Sequence, residues 1–209
     1  MSLENILGRF ADSVTSAQNS IIVAHQNQAN GSPFFDSTHQ HFLTEAAFVK
    51  IFVSWETFLE ETFCHYLSGD LSLSGKSIGR LFIPTSAEHL NNLLMRFGNT
   101  RFFDWSVPDN VRQIANIVFF KNNPFDVAIS SNITDLQDLK TIRNSAVHLS
   151  SSTSQQLDGL GLRKLNRPST NICAYDLLLA IDPNSPTRDT ILLSYIKTLN
   201  TICNLLCRF

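Results

Sequence analysis

The sequence predicts an all-α protein with long loops. Apolar residues recur at helical spacing over most of the 209 residues, strand-like alternation is scarce, and Gly, Pro, Ser and Asn gather between the periodic stretches. Hydrophobic residues form 43% of the chain, enough for a substantial core and too many for overall disorder. Sixteen Phe imply that much of this core is aromatic. One domain is expected over 1–209, with an N-terminal helix and linker in 1–35 and the bundle core in 36–209.

The elements follow in order. Leu3, Ile6, Leu7, Phe10, Val14, Ala17, Ile21 and Ala24 mark one helical stripe, giving a helix over 3–28. Gly31 and Pro33 then make a turn. The longest helix runs from about Ser37 to Leu67. Its apolar residues spread over more than one face, so neighbours should cover several sides. His39, His41, Glu45, Glu60, Glu61 and His65 read as solvated or satisfied. Glu56, between Trp55 and Phe58, needs a partner, and orienting Arg143 or His148 would supply one. Residues 68–84 read as loop. Ser74-Gly75-Lys76-Ser77 lacks the earlier Gly and preceding strand of a phosphate loop, which excludes nucleotide binding by that route. A helix capped by Ser86 continues to about Phe97 and stops at Gly98-Asn99. Another starts at Val107-Pro108 and ends at Lys121-Asn122-Asn123-Pro124. Residues 150–172 have no periodicity and read as a loop or flap. Residues 175–181 fit either a short helix or an extended segment. Pro183 and Pro186 bracket a turn, and Thr187–Arg208 forms a last amphipathic helix.

A net charge of −2 excludes a global basic field, so any nucleic-acid contact must come from a local patch. Cys64, Cys173, Cys203 and Cys207 read as small hydrophobes in a reducing compartment. No leader, membrane span or metal-ligand spacing is visible. A cytoplasmic protein without cofactor or metal is the expectation.

Strongly basic, amide and imidazole groups crowd together in Ile142-Arg143-Asn144-Ser145-Ala146-Val147-His148. Thr134 and Gln137 read as a capping box opening a helix, with Leu136, Leu139, Ile142, Ala146 and Leu149 as its stripe. Asn144 and His148 share a face. Arg143 and His148, five apart, leave a regular helix about 140° apart. Either the helix ends or bends before His148, or a second copy of the chain supplies the missing group. Lys140, Arg143, Arg163, Lys164 and Arg167 form the densest basic cluster. Each alone reads as a surface charge, but as a group beside the motif they could grip phosphates.

The Arg-Asn-x3-His run, preceded by Leu139-Lys140-Thr141-Ile142, resembles the Arg-x(4–6)-His signature of HEPN domains, most closely the RiboL-PSP-HEPN group. The aromatic-rich helix over Phe48–Glu61, with Trp55 and Phe58-Leu59-Glu60, is similar to that group's first helix. By element order the resemblance covers about residues 36–208. It implies an up-and-down helical bundle of the HEPN type, with extra helices and long loops, that dimerises through the motif-bearing helices, with two Arg–His sets facing one cleft. It also implies metal-independent cleavage of RNA in defence, toxin–antitoxin or RNA-processing settings, with an antitoxin or RNA-repair protein as partner. Carried over by position, Arg143, Asn144 and His148 are the active residues. Other HEPN domains have lost catalysis and serve as binding or assembly modules.

The residue types suit that chemistry. A neutral His takes the 2′-hydroxyl proton, and its protonated form donates to the leaving 5′-oxygen. Arg matches two phosphate oxygens and stays charged. Asn144 would position the substrate or hold the imidazole.

Overall fold

The computed structural model describes residues 2–98, 103–148, 150–168 and 170–209. The protein is all-α. Nine helices occur among the described residues: α1 (Leu3–Ala24), α2 (Ser37–Ser68), α3 (Ala87–Gly98), α4 (Pro108–Val118), α5 (Pro124–Ser130), α6 (Ile133–Val147), α7 (Ser151–Leu165), α8 (Ala174–Leu179) and α9 (Ile191–Arg208). Those residues form no strand, only three isolated bridges. Asn99 and Leu149, expected to stop α3 and extend the α6 stripe, lie outside the described residues.

The chain divides into two compact units. The first comprises Met1–Arg9, Trp55–Gln137 and Thr198–Phe209; the second comprises Phe10–Ser54 and Asp138–Lys197. The core of the first is built on rings. Phe63 meets Trp105, Phe119 and Phe125 edge-on, with centroids 5.2–5.5 Å apart, and Phe119 stacks on Phe125 at 5.9 Å. Such pairs add about 0.5–1.5 kcal/mol each beyond burial. Tyr66 is buried there too, and its hydroxyl donates to Leu206 O at 2.6 Å. Burial pushes the Tyr66 phenol up, as expected of a group whose anion would lose water. The core of the second unit comes from Phe10, Val14 and Ala17 of α1, Phe48, Ile51 and Phe52 of α2, and Ile142, Leu157, Leu160, Leu177, Leu178 and Tyr195.

Several boundaries differ from the sequence reading. α1 ends at Ala24 because an Asn27–Pro33 bridge closes the following turn around Gly31, at φ +82°. α9 starts at Ile191: the preceding segment is a turn in which Ser185, Thr187 and Lys197 all reach the Asp189 carboxylate. These donors, Lys197 first, hold that carboxyl below its usual range. Pro124 starts α5 rather than only ending α4, since Asn123 accepts the Asp126 N–H at 3.0 Å and Pro needs no donor at the first helical position.

The largest difference lies in residues 150–172, expected as a loop or flap, where α7 takes up Ser151–Leu165. The Ser150 hydroxyl accepts the Thr153 N–H at 3.2 Å, and the Thr153 hydroxyl accepts the Ser150 N–H at 3.1 Å. This reciprocal cap starts the helix, and the buried stripe Leu157, Leu160 and Gly161 holds it to the second unit's core. The undecided segment near 175–181 is helical over α8.

Candidate functional site

The motif lies in the second unit, on the last turn of α6. That helix begins at Ile133, where the Leu136 N–H bonds Asn132 O at 3.1 Å. Thr134 therefore sits inside the first turn of α6 and not at its N-cap. The helix opens at Ile133 rather than at Asp135, two residues earlier than a Thr134 cap would place it, and just before it the Asn132 side-chain amide donates to Ala128 O at 2.8 Å. Midway along α6, Ile142 is fully buried and turns Arg143, Asn144 and Ser145 to half-buried positions.

The Arg143 guanidinium donates to Asn144 Oδ1 at 3.1 Å and lies 5.8 Å from the centroid of the Phe52 ring. No carboxylate stands within ion-pair distance of it among the described residues. α6 ends at Val147, yet the His148 N–H still bonds Asn144 O at 2.8 Å. His148 thus leaves the helix at about the helical angle, roughly 140° from Arg143. It is exposed, and its imidazole makes no hydrogen bond among the described residues. Its carbonyl accepts from the Thr153 hydroxyl at 2.7 Å, which ties the motif's end to the cap of α7.

The other candidates are spread out. Arg163 and Lys164, on the last turn of α7, both reach Asp138 on α6: Arg163 through both its terminal nitrogens, Lys164 at 3.3 Å. Asp138 is only 3% exposed and also accepts the Tyr195 hydroxyl at 3.1 Å, while Lys164 lies 4.9 Å from the Tyr195 ring centroid. This cluster fastens α7 to α6. Lys140 is half-buried on α6, and Arg167 is exposed just beyond α7. Glu56 is half-buried on α2, in the segment belonging to the first unit.

One cluster had no signal in the sequence. Tyr175 stacks on His41 with centroids 3.7 Å apart and lies 5.8 Å from His25. Its N–H donates to Glu45 Oε1 at 3.1 Å. Burial, opposed by that hydrogen bond, pushes the Glu45 carboxyl above its ordinary value. The neighbouring Cys173 thiol donates to Asp176 at 3.0 Å, and burial first, then that hydrogen bond, pushes it up to about 11, which favours the protonated thiol. His41 and Glu45 share one α2 face, but Tyr175 lies far along the chain, so only the fold brings them together.

No model of a known family, no curated protein and no solved structure matches the chain. Among the described residues, no helix is long and apolar enough to cross a membrane, and no three His, Cys, Asp or Glu side chains gather as metal ligands.

Proposed function

We propose that the protein is a metal-independent endoribonuclease of HEPN type, working in the cytoplasm as a homodimer joined through its motif-bearing helices. The observation that carries this reading is Arg143. A half-buried guanidinium, backed by Phe52 and steadied by Asn144 with no carboxylate beside it, is poised for an anion from outside the chain. The angular separation of Arg143 and His148 favours a composite site, in which the guanidinium of one copy and the imidazole of another flank one phosphate. In that site His148 takes the 2′-hydroxyl proton, the oxygen attacks phosphorus, and the 5′-oxygen leaves with a proton from an imidazolium. Arg143 balances the added negative charge.

The test is cleavage of RNA in EDTA, with the product ends identified. A cyclic phosphate and a free 5′-hydroxyl are expected, with rates lowered about 10²- to 10⁴-fold in His148→Ala and Arg143→Ala. Full activity in both variants overturns the proposal.

A second reading is a HEPN module that binds RNA, nucleotide or a protein partner without cutting. It is favoured by the His148 imidazole, which no described residue orients as a general base is usually oriented. Tight RNA binding without cleavage, indifferent to His148→Ala, selects it.

A further inference from the structure

Beside the motif, in the same unit, lies a cavity of about 420 Å³. Ser145 of α6, Ser151 and Ser154 of α7, Asn171 and Glu45 line it. The volume suits a nucleoside. Among the described residues the lining contains no Lys or Arg, so it favours a neutral polar group over a bare phosphate. The lining does not include His148, but the hydroxyl of Thr153, which is in it, donates to the His148 carbonyl at 2.7 Å, and Ser145 precedes His148 by three residues, close to one helical turn. The hydroxyls of Ser145, Ser151 and Ser154 have no hydrogen-bond partner among the described residues, leaving them for a ligand.

Glu45 is the carboxylate of the lining. One oxygen is engaged by the Tyr175 N–H, but a carboxylate has about four acceptor sites, so most of its capacity remains. A half-buried carboxylate left to accept is best satisfied by two parallel N–H donors. Guanine is the RNA base whose Watson–Crick edge offers them, at N1 and N2; adenine, cytosine and uracil each offer one donor group there.

We infer that this cavity is a guanine-selective nucleoside site, with Glu45 reading the base edge and the serine hydroxyls holding the ribose next to the phosphate that His148 and the Arg143 of a second copy flank. The inference rests on the nuclease reading for its place in a reaction, but not for the binding itself.

The experiment titrates the full chain with guanosine, 1-methylguanosine, adenosine, cytidine and uridine by calorimetry, and repeats guanosine with Glu45→Gln. RNA cleavage by the wild type and by Glu45→Gln is mapped alongside. Guanosine should bind about 10- to 100-fold more tightly than the others, and either Glu45→Gln or methylation of N1 should remove that margin. The methylated ligand keeps the test independent of whether the variant folds. Equal or absent binding of all five nucleosides overturns the inference. So does guanosine binding unchanged by N1 methylation. Selective guanosine binding without RNA cleavage supports this site while the nuclease reading fails. Cleavage without preference at guanine, unaltered in Glu45→Gln, overturns this site while the nuclease reading stands.

Discussion

Asp138 is a nearly buried carboxylate on the motif helix, and its partners make it the anchor of the surrounding structure. Two cations from α7 and the Tyr195 hydroxyl converge on it. Arg163 is half-exposed, so water screens part of that pairing, and the main penalty of losing Asp138 falls on Lys164 and Tyr195. Asp138→Ala should cost about 3 kcal/mol, read from the urea midpoint, and Asp138→Asn less. A loss below about 0.5 kcal/mol would mean that these contacts are incidental. Glu45 yields a pH prediction of definite sign. Its carboxyl is raised on folding, mainly by burial, so in the window above the ordinary carboxylate value the folded chain binds more protons than the unfolded one. Its contribution therefore falls as pH rises through that window and levels off above it. Glu45→Gln should gain stability relative to wild type over the same rise, and denaturation curves from about pH 4 to about pH 8 check this. Parallel curves contradict it. At this scale the sequence showed Arg143 and Asn144 as neighbours because adjacency is local. It could not show Glu45 against Tyr175, nor that Arg163 and Lys164 turn to a buried carboxylate, because the fold alone makes those approaches.

The helices became legible where burial imposes a period. α2, α4 and α9 each carry enough regularly spaced apolar residues to be read directly, and α3 carries its Ser86 cap, which accepts the His89 N–H at 3.1 Å. α7 escaped because its first turns are Ser, Thr and Gln and its cap uses Thr153 where Glu or Gln is the familiar signal. α5 escaped because Pro124 was read as a stop, although an Asn followed by Pro and then Asp two residues later is a start. Two predictions belong here. Ser150→Ala should cost about 1 kcal/mol of stability, because it removes the side-chain half of the α7 cap. It should also loosen His148, measurable as faster amide exchange at the α6–α7 junction; unchanged exchange would separate the cap from the motif. Phe63→Ala, which removes a ring fully enclosed by Trp105, Phe119 and Phe125, should cost about 3–5 kcal/mol. A loss near 1 kcal/mol would show that the rings close over the gap.

For the whole molecule the charge balance sets the terms of any RNA contact. With net charge −2 there is no broad attraction, and Arg163 and Lys164 are already engaged by Asp138. RNA binding should therefore use few phosphate contacts and weaken gently with salt. Three or four contacts correspond to a logarithmic slope of about −2 to −3 for a single strand. A slope steeper than about −6 would indicate a basic surface that the described residues do not display. The proposed composite site makes the sharpest demand, because it requires Arg143 from one copy and His148 from another at each scissile phosphate. Mixing purified Arg143→Ala and His148→Ala proteins and exchanging their subunits tests this directly. Each mixed dimer would hold one complete site, so RNA cleavage should return from two nearly inactive preparations. Mixed dimers that form, as shown by differently tagged chains co-purifying, and yet cut no RNA would contradict the composite site.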